Sequence, residues 1–395
     1  MGKLTGRVDE ALYILFVVNA HAFTASHRLP LLKAVTNLGF KVEAVAPKGS
    51  PASQRLSSEG FIVHPISLSR RGLRVWEEWY SIRELVQLYR RLKPDLIHHA
   101  TIKPVIYGSI AARSAGRPAI VNAITGLGSV YTSKNLKSRT LRICVDAMYR
   151  YALNYNPQRI IFQNRDDWTV LQKTGAVLTG QATLIPGSGV DVNHFVPTSE
   201  PDGRPIVALP ARLIRDKGID EFLAASRLLQ DHQTNPRFVI IGGLDPGNPS
   251  AVTEGELQLW KREGTVEFWG QQDDMRDIYS KCNIVVLPSY REGLPKVLLE
   301  AGASGRPVVT TDVPGCRDVV VDGETGFIVP VRDPQALADR ISKLLIDSKL
   351  RKSMGLAGRV RVEQNFSTER VITETLAIYD SLLKQGEYGN LSNSP

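Results

Sequence analysis

Short apolar runs alternate with longer amphipathic stretches along the whole chain, and the scheme occurs twice. The first series is Ala11–Val18, Lys41–Ala46, Phe61–Pro65, Asp95–His99, Ala119–Ala123 and Arg159–Gln163, each bounded by Gly, Pro or polar residues. Helical patterns such as Arg28–Leu38, Trp76–Arg91 and Ile106–Ser114 lie between them. The second series is Pro205–Pro210, Phe238–Gly242, Val266–Trp269, Ile284–Pro288, Pro307–Thr311 and Gly326–Val329, with helical patterns at Gly218–Leu229, Met275–Lys281, Lys296–Ala303 and Pro334–Ile346. This order argues for parallel sheets covered by helices on both faces. The expected fold class is α/β: two doubly wound, Rossmann-like domains facing a cleft. The expected domains are 1–197 and 198–366, joined near the Pro-, Ser- and Asp-rich segment Val196–Pro205, with a last helix and a frayed tail over 367–395.

A chain of 395 residues, 43% hydrophobic and 23% charged, can bury two ordinary cores, which excludes a disordered, collagen-like or coiled-coil chain. Three scattered cysteines, Cys144, Cys282 and Cys316, supply neither a disulfide framework nor a cysteine zinc site. The run Ala11–Val18 is too short to span a bilayer and lacks a small-residue cleavage site after it, so it reads as a first core strand in a cytoplasmic protein. Charge is uneven. Up to Phe195 there are 25 basic and 12 acidic residues, and beyond it 24 and 28. A basic first half suits an anionic partner, whether nucleic acid, a membrane face or a phosphorylated substrate.

In doubly wound domains ligands bind beyond the carboxyl ends of the strands, so the residues just after each run carry the chemistry. After Ile284–Pro288 comes Ser289-Tyr-Arg-Glu-Gly-Leu-Pro-Lys-Val-Leu-Leu-Glu300. Pro295 suits the first helical position, and the Gly293 and Leu294 N–H groups then stand at a helix start, where hydroxyls or phosphate are held. Glu292 in the loop and Glu300 two turns on can accept hydrogen bonds from two hydroxyl-bearing parts of one ligand. Each carboxylate alone would pass as a surface group. After Pro205–Pro210, Arg212 and Lys217 can flank a diphosphate. Gly242-Gly243 and Gly270, after the next two runs, allow a ligand close to the backbone.

Arg212-Leu-x-x-x-Lys217-Gly218, Gly242-Gly243, Phe268-Trp-Gly270 and Glu292-Gly-Leu-Pro with Glu300 resemble, in order, the motifs of retaining glycosyltransferases of family four. Pro186-Gly-Ser-Gly-Val-Asp191 with Phe195 resembles that family's interdomain junction. The resemblance implies the GT-B architecture. It also implies that Glu292 touches the donor-sugar hydroxyls, that Glu300 holds the nucleotide ribose, that Arg212 and Lys217 grip the diphosphate, that the base passes Gly270, and that Gly243 lies on the donor side.

The first half then holds the acceptor. The Asp-x-x-His pattern of Asp95–His98 resembles the family's histidine beside the donor sugar, and the doubled His98-His99 leaves open which of the two fills that place. Lys103 is a candidate for a phosphate contact. Thr125, Gly126 and Gly128 form a loop with free backbone donors. These segments and His27-Arg-Leu-Pro30 resemble a branch that extends undecaprenyl-diphosphate sugars in bacterial surface polysaccharides, O-antigen and lipopolysaccharide among them, and in glycoprotein glycans. Where many family members carry a glycine-rich loop, this chain has Asn19-Ala-His-Ala-Phe23, so Asn19 and His27 are further acceptor-side candidates.

The implied enzyme is a metal-independent retaining hexosyltransferase. It takes an N-acetylhexosamine or hexose from a UDP-linked or other nucleotide donor, with no cofactor and no nucleic-acid partner. No Asp-x-Asp ends a strand, and Asp166-Asp167 and Asp273-Asp274 read as helix starts. A nucleotide-sugar epimerase or a silent nucleotide-sugar binder would share the donor motifs. A nicotinamide enzyme is disfavoured, since no Gly-x-Gly-x-x-Gly follows the first strand. Arg70, Arg71, Arg74, Trp76, Trp79, Tyr80, Arg83, Arg90, Arg91 and Lys93, with Lys134, Lys137, Arg139, Arg142 and Arg150, suit an anionic membrane face, which implies a peripheral protein on the cytoplasmic side of the inner membrane.

Overall fold

The computed structural model describes residues 11–19, 22–68, 75–127, 131 and 136–389. Arg70, Arg71, Arg74, Gly128, Lys134, the side chains of Lys137 and Arg139, and the frayed tail lie outside the described residues.

The chain divides into two compact units, one of residues 1–188 and 371–395, the other of residues 189–370. The first unit runs β1 (Tyr13–Val17), α1 (Ala22–Asn37), β2 (Lys41–Pro47), α2 (Pro51–Ser58), β3 (Val63–Ile66), α3 (Val75–Leu92), β4 (Leu96–Ala100), α4 (Ile102–Arg113), β5 (Ala119–Ile124), α5 (Leu136–Leu153), β6 (Gln158–Phe162), α6 (Arg165–Lys173) and β7 (Ala182–Leu184). Its seven parallel strands lie in the order β3-β2-β1-β4-β5-β6-β7. Every residue of β1, β4 and β5 is buried, which is why these runs carry no apolar-polar alternation. One face of the sheet packs on α3, α4 and α5, with Leu85, Val105 and Tyr149 in its core. The other packs on α1 and on the end of the chain, through Leu32, Val35, Val371, Tyr379 and Leu382.

The second unit runs β8 (Ile206–Pro210), α7 (Ile219–Leu228), β9 (Arg237–Ile241), α8 (Glu254–Glu263), β10 (Glu267–Gly270), α9 (Met275–Lys281), β11 (Ile284–Leu287), α10 (Lys296–Ala303), β12 (Val308–Thr311), α11 (Cys316–Val319), β13 (Gly326–Val329), α12 (Pro334–Ile346) and α13 (Ser348–Asn365). Its six parallel strands lie in the order β10-β9-β8-β11-β12-β13. The last helix, α14 (Thr368–Gly389), starts in this unit and joins the first from Val371 onward.

The sequence placed the first boundary at 197 and the structure places it at 188. Three arginines of the second unit account for the difference. Arg359 donates to the Val192 and Phe195 carbonyls, Arg306 to Thr198 Oγ1 at 2.6 Å, and Arg351 to Glu200 at 2.6 and 2.9 Å. A Pro- and Ser-rich composition reads as a linker, yet these long-range bonds pin the segment to the second sheet's helices. The short edge strand β7 and the helices α2, α5, α8, α11 and α13 are additions to the elements read from sequence, which had α6 only as a helix start. Asp166 and Asp167 lie in the first turn of α6, and Asp274 caps α9 by accepting the Arg276 N–H at 3.0 Å.

Candidate active site

In the second unit β8 and β11 are neighbours, but the chain leaves them in opposite directions: β9 and β10 lie to one side, β12 and β13 to the other. Such a switch point opens a crevice at the carboxyl ends of the two strands. The loop after β8 carries Arg212 and a short 3-10 turn, Arg215–Lys217; the loop after β11 carries Ser289 to Pro295. The Tyr290 N–H donates to the Asp216 carbonyl at 2.9 Å, so the backbone itself ties the loops together. Across this tie Lys217 Nζ pairs with Glu292 Oε1, and Ser289 Oγ donates to the same oxygen at 2.7 Å. Both charged side chains are mostly buried, at 20% and 12% exposure, so neither is a floating surface group.

Two glycines make the approach possible. Gly218 has φ 73°, and a Cβ there would lie 2.2 Å from the Pro288 carbonyl oxygen; Gly242 has φ 154°, and a Cβ there would lie 1.9 Å from the Ala211 oxygen. Without side chains, the loops after β8, β9 and β11 pack backbone to backbone. Arg212 Nη1 donates to Asp245 Oδ2 at 2.5 Å, just beyond Gly242. Arg215 faces elsewhere, onto Asp220 and Glu256. At Gly243 the nearest atom to an added Cβ is Gln271 Oε1 at 3.8 Å, and at Gly270 nothing lies within 4 Å, so both retain open space beside the backbone.

Pro295 is the N-cap of α10, with ψ 113°, and Lys296 is the first helical residue. The expectation of Pro295 at the first helical position is therefore shifted by one residue: its extended ψ lets the Gly293-Leu294 segment enter the helix as a loop. Leu294 packs on the core beneath. Glu300 is 9% exposed; its Oε2 accepts from Tyr279 Oη at 3.0 Å and Lys296 Nζ lies 3.6 Å from Oε1. Burial holds its carboxyl above the usual carboxylate range, against the pull of Lys296 and Tyr279.

The first unit has its switch point between β1 and β4. Asn19 after β1, Thr101 after β4, and Thr125 and Gly126 after β5 stand at the carboxyl ends of three adjacent strands. Asn19, Thr125 and Gly126 are all part-buried, as is His27 on α1. Lys103, in the first turn of α4, is 15% exposed and pairs with Glu78 of α3 at 2.5 Å.

The two histidines do not stand at the strand's end. β4 runs on to Ala100, and strand alternation puts His98 and His99 on opposite faces of the sheet, each fully buried. His99 Nδ1 lies 2.9 Å from Asn122 Oδ1 and its Nε2 lies 3.0 Å from Tyr89 Oη. His98 stacks on Phe16 at 5.1 Å, and its Nδ1 is 2.7 Å from Tyr379 Oη. Its Nε2 is buried without a partner, and the buried Arg28 of α1 is close enough to depress its protonation. Burial pushes His98 well below the usual imidazole range and His99 down to about 4.

Asp245, Ser289, Tyr279, Arg28 and Tyr379 were not singled out from sequence. Asp245 follows Gly242-Gly243 in the same turn and could have been read there. Tyr379 lies 281 residues from His98, and no local pattern announces it. Among the described residues no group of three or more His, Cys, Asp or Glu is placed to hold a metal ion, and no helix is long and apolar enough to cross a membrane.

Residues 13–164 match the family described as "Glycosyl transferase 4-like" and residues 192–361 match "Glycosyl transferases group 1". The chain is 28% identical over 383 residues, 93% of its length and 98% of the relative's, to the N,N'-diacetylbacillosaminyl-diphospho-undecaprenol alpha-1,3-N-acetylgalactosaminyltransferase of Campylobacter jejuni. It is 27% identical over 382 residues, with 93% and 98% covered, to the capsular polysaccharide biosynthesis glycosyltransferase CapM of Staphylococcus aureus. Its fold is that of sucrose-phosphate synthase from Thermosynechococcus elongatus (TM-score 0.78, 23% identity, 95% and 100% covered). It is equally that of Anabaena HepE, solved with UDP and glucose (TM-score 0.75, 19% identity, 94% and 100% covered). The chain belongs to the retaining glycosyltransferases of family four, with the two-domain GT-B fold.

Proposed function

We propose that this glycosyltransferase moves a sugar, first an N-acetylhexosamine, from its UDP-linked donor to a sugar carried on undecaprenyl diphosphate, in the assembly of a bacterial surface glycan. The observation that carries the reading is the Lys217–Glu292 pair across the β8/β11 switch point. A ligand that offers phosphate to the ammonium and hydroxyls to the carboxylate replaces one ion pair with two sets of contacts, and a sugar nucleotide offers both. The names of the relatives from C. jejuni and S. aureus support the acceptor and the pathway class.

In this reading the second unit, residues 189–370, binds the donor, and the first, residues 1–188 with the returning end of the chain from 371, binds the acceptor. Glu292 accepts hydrogen bonds from the donor sugar and Glu300 from the ribose. Gly243 and Gly270 leave room for the base, and the Gly293 and Leu294 N–H groups, with Pro295 after them, face the diphosphate end. In the transition state positive charge grows on the anomeric carbon and negative charge on the departing diphosphate. Arg212 and Lys217 stabilise the latter, so the leaving group needs no metal ion. Asn19, His27, Lys103, Thr125 and Gly126 serve the acceptor. His98, buried against Tyr379, acts by holding the end of β4 rather than by touching sugar.

The protein works at the cytoplasmic face of the inner membrane as a peripheral enzyme. α3 presents Trp79 outward at 56% exposure, and Arg83 lies over its ring at 5.6 Å. Replacing Arg70, Arg71 and Arg74 by Ser lowers binding to anionic vesicles, more at low salt than at high salt. The function is tested with a panel of sugar nucleotides and a synthetic polyprenyl-diphosphate sugar, product read by mass. Transfer from no sugar nucleotide would refute it.

A further inference from the structure

Lys33, Lys41 and Lys103 in the first unit each meet a glutamate. Lys48, just after β2, is exposed, and among the described residues no acid pairs with it. It stands on the rim of a groove of about 490 Å³ whose walls are Pro47 and Ile66, the last residues of β2 and β3, with Leu68, Trp76 and Tyr80. Ile66 and Leu68 are each 4% exposed and form the floor; Trp76 and Tyr80 stand up from α3 as a side wall. Glu77 is the one acid in the lining, and it lies in the first turn of α3, where the helix N-terminus offsets its charge. The other acids of this stretch are engaged within the unit, Glu78 with Lys103 and Glu84 with the Ser67 N–H at 2.6 Å.

An apolar recess with one unpaired cation at its rim matches an amphiphile with an anionic head and an apolar tail. The recess separates the possible occupants. A bilayer presses on side chains that project, but it does not fill a slot floored by Ile66 and Leu68. A branched isoprenoid next to a diphosphate satisfies both walls and rim. We propose that this groove takes the first isoprene units of the lipid-linked acceptor and that Lys48 meets its diphosphate, an inference that rests on the acceptor class proposed above. The groove then selects acceptors by their lipid, independently of the sugar.

The test uses the full-length enzyme in detergent without vesicles and two acceptors with the same sugar diphosphate, one on a long polyprenyl chain and one on a single isoprene unit. The wild type prefers the long chain. In the Trp76→Ser/Tyr80→Ser variant the ratio of kcat/KM, long over short, falls about tenfold through KM, since part of the apolar contact is lost. Lys48→Gln raises KM for both acceptors alike, because both carry the diphosphate. An unchanged ratio in the double variant overturns the proposal, and so does a loss that appears only when anionic vesicles are added, which would assign the patch to the bilayer. Wild-type enzyme that uses neither acceptor overturns the acceptor reading and this inference together.

Discussion

The two sheets end in different chemistry. At the carboxyl edge of the second, charges meet across loops: Lys217 with Glu292, and Arg212 with Asp245, whose carboxylate is 8% exposed. At the corresponding edge of the first, the histidines of β4 are withdrawn into the core and kept neutral, and Asn19, Thr101, Thr125 and Gly126 stand at the strand ends, with Lys103 paired to Glu78 and Lys48, among the described residues, unpaired beside them. One topology thus carries an edge whose charges pair across its loops and an edge whose central-strand histidines are buried neutral. A diphosphate leaving group needs fixed cations, because charge grows on it during the reaction. An acceptor hydroxyl needs only to be placed. The basic excess of the first half, which suggested an anionic partner, is therefore not concentrated at its β4 edge.

The contrast can be broken most directly at Glu292. Glu292→Ala should lower transfer by roughly a thousandfold or more, on the scale of losing a principal transition-state contact, while the circular dichroism spectrum stays that of the wild type. A fully active variant would remove the second unit's edge from the chemistry. Gly242→Ala tests whether the edge depends on backbone packing. With a carbonyl oxygen 1.9 Å from the new Cβ, it should cost on the order of 2–4 kcal/mol and lower the melting temperature, and a variant of unchanged stability would show that the loops can part freely.

The first unit is sharpened by pH. His99 falls from the usual 6.5 to about 4 on folding, so the unfolded chain binds the proton first. Its contribution is complete above about pH 6.5 and is lost as pH falls toward about 4. His98 acts in the same direction. Melting followed from pH 7 to 4 should show this decline, and His99→Gln should flatten it; a wild-type profile that is level over that range would mean that the imidazoles are not buried neutral. Tyr379→Phe should be milder. It leaves His98 Nδ1 without its partner at a cost of about 1–2 kcal/mol, with kcat within about twofold of the wild type, in line with a support role. Smallest of all is the effect of a chelator: the rate should not change, and a loss restored by added divalent cation would mean that Arg212 and Lys217 do not suffice for the leaving group.

Much of the charged edge of the second unit was legible because its residues lie in short segments directly after strands. Arg212, Lys217, Gly242, Gly243 and Glu292 to Glu300 are each set by a strand that ends and a helix that begins, which are local events. The histidines of β4 were misplaced for an equally physical reason. In the sequence the run ends at His99, whereas β4 continues to Ala100 and both imidazoles are packed against other elements, which the sequence of the strand alone does not show. The linker was misread because its composition is that of a loop, while its position depends on Arg306, Arg351 and Arg359 from far along the chain.

By itself the sequence determined two parallel α/β sheets and the order of motifs along their edges, since burial on both faces demands unbroken apolar strands and glycine is needed wherever backbones touch. Only the tertiary structure decided which cation meets which acid, that Lys48 stands unpaired above an apolar groove, and that His98 lies against Tyr379. Those pairings join residues tens to hundreds of positions apart, and their energy depends on distance and burial in space, which no local pattern encodes.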